Sequence, residues 1–100
     1  MNPMEPQSAE VLDVRDETPE TRTLRLSFPD SDIVCRSRPG QFNMLGLPGY
    51  GEVPVVFSSV ESDDRASHTV RAVGPVTNAL HRLSAGDTLQ IRGPFGTGWP

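Results

Sequence analysis

The residues best suited to chemistry lie between a predicted strand and the single predicted helix. Gly74-Pro75-Val76-Thr77 joins the two, so backbone N–H groups at the helix start would point at whatever lies above it. A helix start with a hydroxyl residue is suited to binding an anion. Arg71 lies on the same predicted strand, three residues before Gly74. An ordinary capped helix and an exposed arginine are the simpler interpretations, and these residues alone leave both open.

Other reactive side chains do not form a catalytic or metal-binding pattern. The single cysteine, Cys35, excludes an internal disulfide and is expected to be a partly buried thiol. His68 and His81 have no carboxylate at metal-site spacing, so we expect surface or partly buried polar groups. Asp63-Asp64 is typical of a solvated turn, and Ser58-Ser59 lacks the glycine elbow of a serine hydrolase. No catalytic or metal-ligating residue is predicted.

Composition and charge limit the class of protein. The chain has 100 residues, a formal net charge of −4 and 35% hydrophobic residues, which suits one compact domain. All nine basic residues are arginines that alternate with acids, so a nucleic-acid partner is not expected. No apolar run approaches the roughly 20 residues that span a bilayer, so no membrane partner is expected. The amino terminus lacks the features of a secretory signal, and we predict a cytoplasmic protein with a loose tail over residues 1–8.

The spacing of glycine and proline favours many short strands. Nine glycines and ten prolines punctuate the chain at short intervals. The predicted strands are Val11–Arg15, Thr21–Phe28, Gln41–Leu47, Val53–Val60, His68–Val73 and Asp87–Arg92. The residues expected to point inward are Leu12, Val14, Leu24, Leu26, Phe28, Val70, Ala72, Leu89 and Ile91. Pro39-Gly40 suits a type II turn before the third strand.

One predicted strand and one predicted helix differ from the rest. Val53–Val60 is nearly continuous apolar sequence, as expected of a strand buried on both faces or covered by a ligand. Val76–Leu83 carries Val76, Leu80 and Leu83 at helical spacing, and Thr77 or a neighbour would cap its start. Six strands and one short helix predict an all-β antiparallel barrel, closed or nearly closed, because closure removes exposed strand edges.

Four segments, taken in order, resemble one known family. They are Arg38–Phe42, Gly51–Ser59, Thr69–Leu80, and Gly86-Asp87 followed by Arg92–Trp99. Their order and spacing are similar to the FAD-binding domain of ferredoxin-reductase-like proteins. Within that family they most resemble the gamma subunits of nickel–iron hydrogenases and sulfhydrogenases, and the electron-transfer subunit of dihydroorotate dehydrogenase. The resemblance runs from about residue 9 to residue 100, and it implies a six-stranded antiparallel Greek-key barrel.

This resemblance also implies an FAD site. The Val53–Ser59 strand would lie along the isoalloxazine ring, Arg71 would meet a phosphate or the flavin edge, and the start of the helix would bind the pyrophosphate. The implied cofactor-binding residues are Val53, Pro54, Val55, Val56, Thr69, Val70, Arg71, Gly74, Val76 and Thr77. Many relatives carry an arginine where Val53 stands, and a serine or threonine hydroxyl that meets the reactive flavin nitrogen where Val56 stands. The hydrogenase-like branch also lacks the arginine.

In relatives, the Gly93–Gly96 motif leads into an NAD(P)H-binding domain. We therefore expect residues 9–100 to be the FAD-binding barrel, truncated before that domain, since the chain contains no GxGxxG fingerprint. The resemblance implies that the parent protein passes electrons between NAD(P)H and an iron–sulfur or hydrogenase partner, and that the fragment alone oxidises NAD(P)H poorly. The alternative is a non-enzymatic barrel that binds another protein and no flavin.

Overall fold

The chain folds into a closed barrel of antiparallel strands in a computed structural model that describes residues 5–29, 41–62 and 64–96. The strands of these residues are β1 (Gln7–Thr18), β2 (Thr21–Ser27), β3 (Phe42–Leu47), β4 (Gly51–Ser62), β5 (Arg65–Arg71) and β6 (Thr88–Phe95), with helix α1 (Pro75–Leu80) between β5 and β6. Their order around the barrel is β1-β2-β5-β4-β3-β6. β2 therefore lies beside β5 rather than beside β3, which makes the connection a Greek key. The predicted six-stranded antiparallel barrel with one short helix is confirmed.

Alternate residues of the strands fill the interior. Leu24, Leu26 and Phe28 face inward from β2 and the residue after it, as predicted from their period of two. The buried apolar cluster consists of Ala9, Val11, Leu24, Leu26, Phe28, Leu45, Ala66, Val70, Leu80, Leu89 and Ile91. Because α1 contributes Leu80 to this cluster, the short helix is anchored on the barrel next to the start of β4.

The first strand begins earlier than predicted. Gln7 and Ser8 pair with Ile91 and Gln90 on β6, so these two residues belong to β1 and not to a loose tail. Their pairing closes the barrel between its first and last strands.

The inward face of β1 also differs from the prediction. Val11 is fully buried together with Ala9, whereas Leu12 is only half-buried. The pairing with β2 is irregular between Val11 and Asp13, and this bulge shifts the alternation by one residue. Val14 consequently packs against the core, as predicted, but Leu12 does not carry the inward role assigned to it.

The apolar strand β4 is buried on one face only. Val53, Val55 and Phe57 pack against the core, while Pro54 and Val56 are exposed, Val56 with 57% of its surface. The interpretation of this strand as buried on both faces is therefore wrong. Pro54 and Val56 instead form an exposed apolar surface on the outward face of the strand.

Two further element boundaries differ from the predicted ones. β5 begins at Arg65 and ends at Arg71, so Ala72 lies beyond the strand and is half-buried. α1 ends at Leu80, and the chain reaches Leu83 through a turn in which the Leu83 N–H donates to the Leu80 carbonyl. The predictions for Cys35, the Pro39-Gly40 turn, Asp63 and Trp99 lie outside the described residues. In the described ranges, no helix is long and apolar enough to cross a membrane.

Candidate functional site

A groove opens where β4 and β5 separate. The first half of β4, through Val56, pairs with β3, and the second half, from Phe57, pairs with β5. β5 continues past His68, the partner of Phe57, as far as Arg71 alongside β2. Pro54 lies in the half of β4 that β5 does not pair with, which suits a residue without an N–H. This part of β4 is therefore a local strand edge inside a closed barrel.

The groove gathers most of the residues predicted to bind a cofactor. Its volume is about 480 Å³, and it is lined by Val53, Pro54, Val55, Val56, Thr69, Val70, Arg71, Val73 and Thr77. Eight of the ten predicted residues are in this lining, and the other two, Gly74 and Val76, lie next to it at the start of α1. The volume falls within the roughly 300–1,000 Å³ of small-molecule sites.

Val73 is a lining residue that sequence reasoning did not assign to the site. It is 72% exposed, more than any other large apolar residue described, and it lines the groove together with Val56. The predicted alternation, with Val70 and Ala72 inward, put Val73 on the outward face with Arg71, and this was the signal that could have assigned it to the site. Two exposed valines in one groove are typical of a surface that binds an apolar group of a ligand or partner.

Arg71 provides the positive charge of the groove. Its guanidinium lies 3.6 Å from the Glu20 carboxylate, and both side chains are exposed by about 70%. An ion pair of this kind contributes little to stability and holds its arginine weakly. Arg71 is therefore able to turn toward an anionic ligand in the groove.

The start of α1 supplies backbone donors rather than a free hydroxyl. Gly74 is the N-cap and Pro75 follows it. The Thr77 hydroxyl accepts the N–H groups of Val73 and Gly74, each at 2.9 Å, and donates to the Gly74 carbonyl at 3.1 Å. Its one hydrogen and both lone pairs are thus used within the helix start. The N–H groups of Val76 and Thr77 have no intrahelical acceptor at this position, so the backbone is what can meet an anion.

His68 is a buried structural group, and the prediction that it is a surface or partly buried residue is wrong. It is fully buried, with Nδ1 2.9 Å from the Val56 carbonyl and Nε2 3.2 Å from the Asn43 amide nitrogen. Because a carbonyl only accepts, Nδ1 carries the proton and Nε2 accepts from Asn43. Burial lowers the pKa of His68 from 6.5 to about 4, opposed in part by the bond to Val56. The strand alternation that placed Val70 inward was the signal that could have found it.

His81 is half-buried, as predicted, and follows α1 directly. Its Nε2 lies 2.6 Å from the Val70 carbonyl on β5. The Arg22 guanidinium on β2 binds the His81 carbonyl at 2.7 Å and the Asp16 carboxylate at 2.7 Å, which holds the end of the helix against the barrel.

Comparison with known proteins gives relatives but no family model, since none matches the chain. The chain is 44% identical over 96 residues, 96% of its length, to the "Probable dihydroorotate dehydrogenase B (NAD(+)), electron transfer subunit" of Methanocella arvoryzae. It is 32% identical over 102 residues, and 100% of its length, to "Sulfhydrogenase 2 subunit gamma" of Pyrococcus furiosus. The chain spans about a third of these relatives, 34% and 35% of their lengths.

The solved structures agree on the fold. A ferredoxin NADP+ reductase from Neisseria gonorrhoeae, solved with bound FAD and NADP, matches with a TM-score of 0.76 and 24% identity over 92% of this chain and 39% of the reductase. The chain therefore has the barrel fold of the ferredoxin-reductase type. The resemblance predicted from the four segments is confirmed, because almost the whole chain is similar to part of a sulfhydrogenase gamma subunit and of a dihydroorotate dehydrogenase electron-transfer subunit.

Proposed function

We propose that this chain binds FAD in the groove between β4, β5 and the start of α1. The observation that carries the proposal is the groove itself, in which eight of the ten residues implied by the resemblance form one lining. The relatives are named as electron-transfer and sulfhydrogenase subunits, and the structural neighbour was solved with FAD.

The residues on the β4 side suit a flat aromatic ring. Val53–Val56 is apolar and lacks a β5 partner, so a planar ring can lie against it and meet backbone polar groups at its own polar edge. Val56 and Val73 would lose exposed apolar surface to the ring, which favours binding by roughly 25 cal/mol for each Å² buried. Val56 carries no hydroxyl, so this side chain excludes water from the ring but donates nothing to it.

The residues on the α1 side suit the phosphates. Arg71 offers a guanidinium whose only described ion pair is weak, and the backbone N–H groups of Val76 and Thr77 lie at the start of the helix. The Thr77 hydroxyl is occupied by the helix cap, and Val76 packs its side chain against the core. We therefore propose that both residues act through their backbone, with Thr77 also holding that backbone in place.

FAD, when bound, would supply the redox chemistry, while the barrel would bind and orient it and keep water from the ring. We further propose that the parent protein moves electrons between NAD(P)H and an iron–sulfur or hydrogenase partner in the cytoplasm. The names of the relatives support this proposal: one contains NAD(+) and electron transfer, and the other is a subunit of a sulfhydrogenase. An NAD(P)-binding domain of the same parent is the partner that the resemblance implies.

The test is a titration of the flavin-stripped chain with FAD and with FMN, followed by quenching of flavin fluorescence. We expect saturable binding that is tighter for FAD, because only FAD carries the pyrophosphate. Val56→Glu should abolish binding by placing a charge in the groove. Val60→Glu is the matched control, since Val60 lies on the same strand with a similar exposed fraction, 55% against 57%, outside the groove lining.

Equal loss of binding in both valine variants would show that the flavin does not occupy this groove. No saturable binding to the folded wild-type chain would overturn the proposal that the barrel holds FAD by itself, and would favour the alternative of a protein-binding barrel.

A further inference from the structure

Two histidines bind backbone carbonyls on the two sides of the groove. His68 binds the carbonyl of Val56 on β4 at 2.9 Å, and His81 binds the carbonyl of Val70 on β5 at 2.6 Å. Val56 and Val70 both belong to the groove lining. These are the only two histidines of the chain.

The Val56 carbonyl lies where β4 has no β5 partner, so it needs a hydrogen-bond donor from elsewhere. β4 and β5 pair only as far as Phe57 and His68, and beyond that pair no ladder hydrogen bonds join them. A carbonyl removed from water without a donor costs stability, so separated strands require some other group to bind it. The His68 ring is held in place to donate this bond, because Asn43 binds its other nitrogen and the centroid of the Phe57 ring lies 4.7 Å from that of the imidazole.

We propose that His68 and His81 are positioning residues: His68 fixes the peptide group of Val56 on the β4 side of the groove, and His81 fixes the peptide group of Val70, near the end of β5, against the end of α1. The His68 imidazole supplies to the Val56 carbonyl the donor that the β5 backbone does not provide there. Val70 pairs with Arg22 on the β2 side of β5, so the His81 bond instead ties the end of α1 to the backbone of β5. This inference rests on the proposed function for the identity of the ligand, but the hydrogen bonds exist without it.

The geometry requires opposite tautomers in the neutral rings. His68 must carry its proton on Nδ1 to donate to Val56, and His81 must carry a proton on Nε2 to donate to Val70. Long-range ¹⁵N–¹H NMR of the labelled wild-type chain near pH 8 distinguishes the two nitrogens of each ring. The expected result is one Nδ1–H ring and one Nε2–H ring. Identical tautomers in the two rings would overturn the proposal without the use of any variant.

Paired substitutions test the effect on the ligand. His68→Leu and His81→Leu remove the donor, whereas His68→Asn and His81→Gln keep an N–H near the position of the donating ring nitrogen. Loss of one orienting hydrogen bond should weaken FAD binding about tenfold, and the variants that keep the donor should stay within about threefold of wild type. Val11→Ala is the control for lost stability, because Val11 is a core residue of β1 outside the groove.

Binding and the visible spectrum of the bound flavin are measured at a temperature where every variant is folded. A shifted spectrum in the leucine variants, recovered in His68→Asn and His81→Gln and absent in Val11→Ala, supports a positioning role. Wild-type affinity and spectrum in both leucine variants would overturn it. Failure of the proposed function has a different signature, because the wild-type chain would then bind no FAD while the NMR result still reports on the two rings.

Discussion

Acid should destabilise this barrel through one buried imidazole. The pKa of His68 is about 4 in the folded chain against 6.5 for an exposed histidine, because burial penalises the charged ring. Between these two pH values the unfolded chain binds one more proton than the folded chain, so the free energy of unfolding falls as the pH falls. The contribution is complete above pH 6.5, and about 1.4 kcal/mol is lost for each pH unit below it. By pH 4 the loss reaches about 3 kcal/mol, a large part of the roughly 5–15 kcal/mol that stabilises a domain.

The assay is urea unfolding followed by circular dichroism at half-unit steps from pH 8 to pH 4, on wild type and on His68→Phe. The described contacts of His68 are Asn43, the Val56 carbonyl and the rings of Phe28 and Phe57, and none of these groups titrates. A phenylalanine fits this aromatic surrounding but binds no proton. Carboxylates elsewhere respond equally in both proteins, so the difference between the two curves isolates the imidazole.

We expect wild type to be the more stable protein at pH 8, where its two hydrogen bonds are intact, and the advantage to shrink by about 3 kcal/mol by pH 4. A difference between wild type and His68→Phe that stays constant across this range would refute the reasoning. It would mean that the ring is hydrated or changes place with solvent in the folded chain.

Three further predictions concern the groove and its support. Arg71→Ala should weaken FAD binding about tenfold and reduce its salt dependence. Arg65→Ala, on the same strand outside the groove, should change neither. Equal affinities of wild type and Arg71→Ala in titrations at two salt concentrations would contradict the role of Arg71. Val56→Thr should change the visible spectrum of bound FAD and leave the free energy of unfolding within about 0.5 kcal/mol, and an unchanged spectrum would remove this side chain from the ring. Gly93→Ala should cost at least about 3 kcal/mol in denaturant unfolding, since a Cβ there would overlap the buried side-chain oxygen of Asn43 and the residue has a φ of +148°. Gly86→Ala, at φ +94° with open space around it, should cost only about 1 kcal/mol; similar losses at both glycines would exclude the packing argument.

Much of the fold could be predicted because strand periodicity is a local property. Leu24 and Leu26 alternate with polar residues, and such a pattern buries one face of a strand wherever the strand lies. The same reasoning was wrong at Leu12, because a bulge is set by the pairing with β2 and leaves no mark in the alternation itself. This reasoning was also incomplete at Val56, because an apolar strand has the same sequence pattern whether its face packs on a core or lines a groove.

The sequence by itself determined most of the strands and the short helix, because hydrophobic periodicity and turn residues carry that information. The ten candidate site residues came from its resemblance to a known family, and eight of them line one groove. Only the tertiary structure decided that β4 pairs with β5 from Phe57 onward and not before it, and so that a groove exists at all. It also decided that His68 is buried and neutral. These outcomes depend on contacts between residues distant in the chain, such as Asn43 with His68, and no local pattern encodes which donor meets which acceptor.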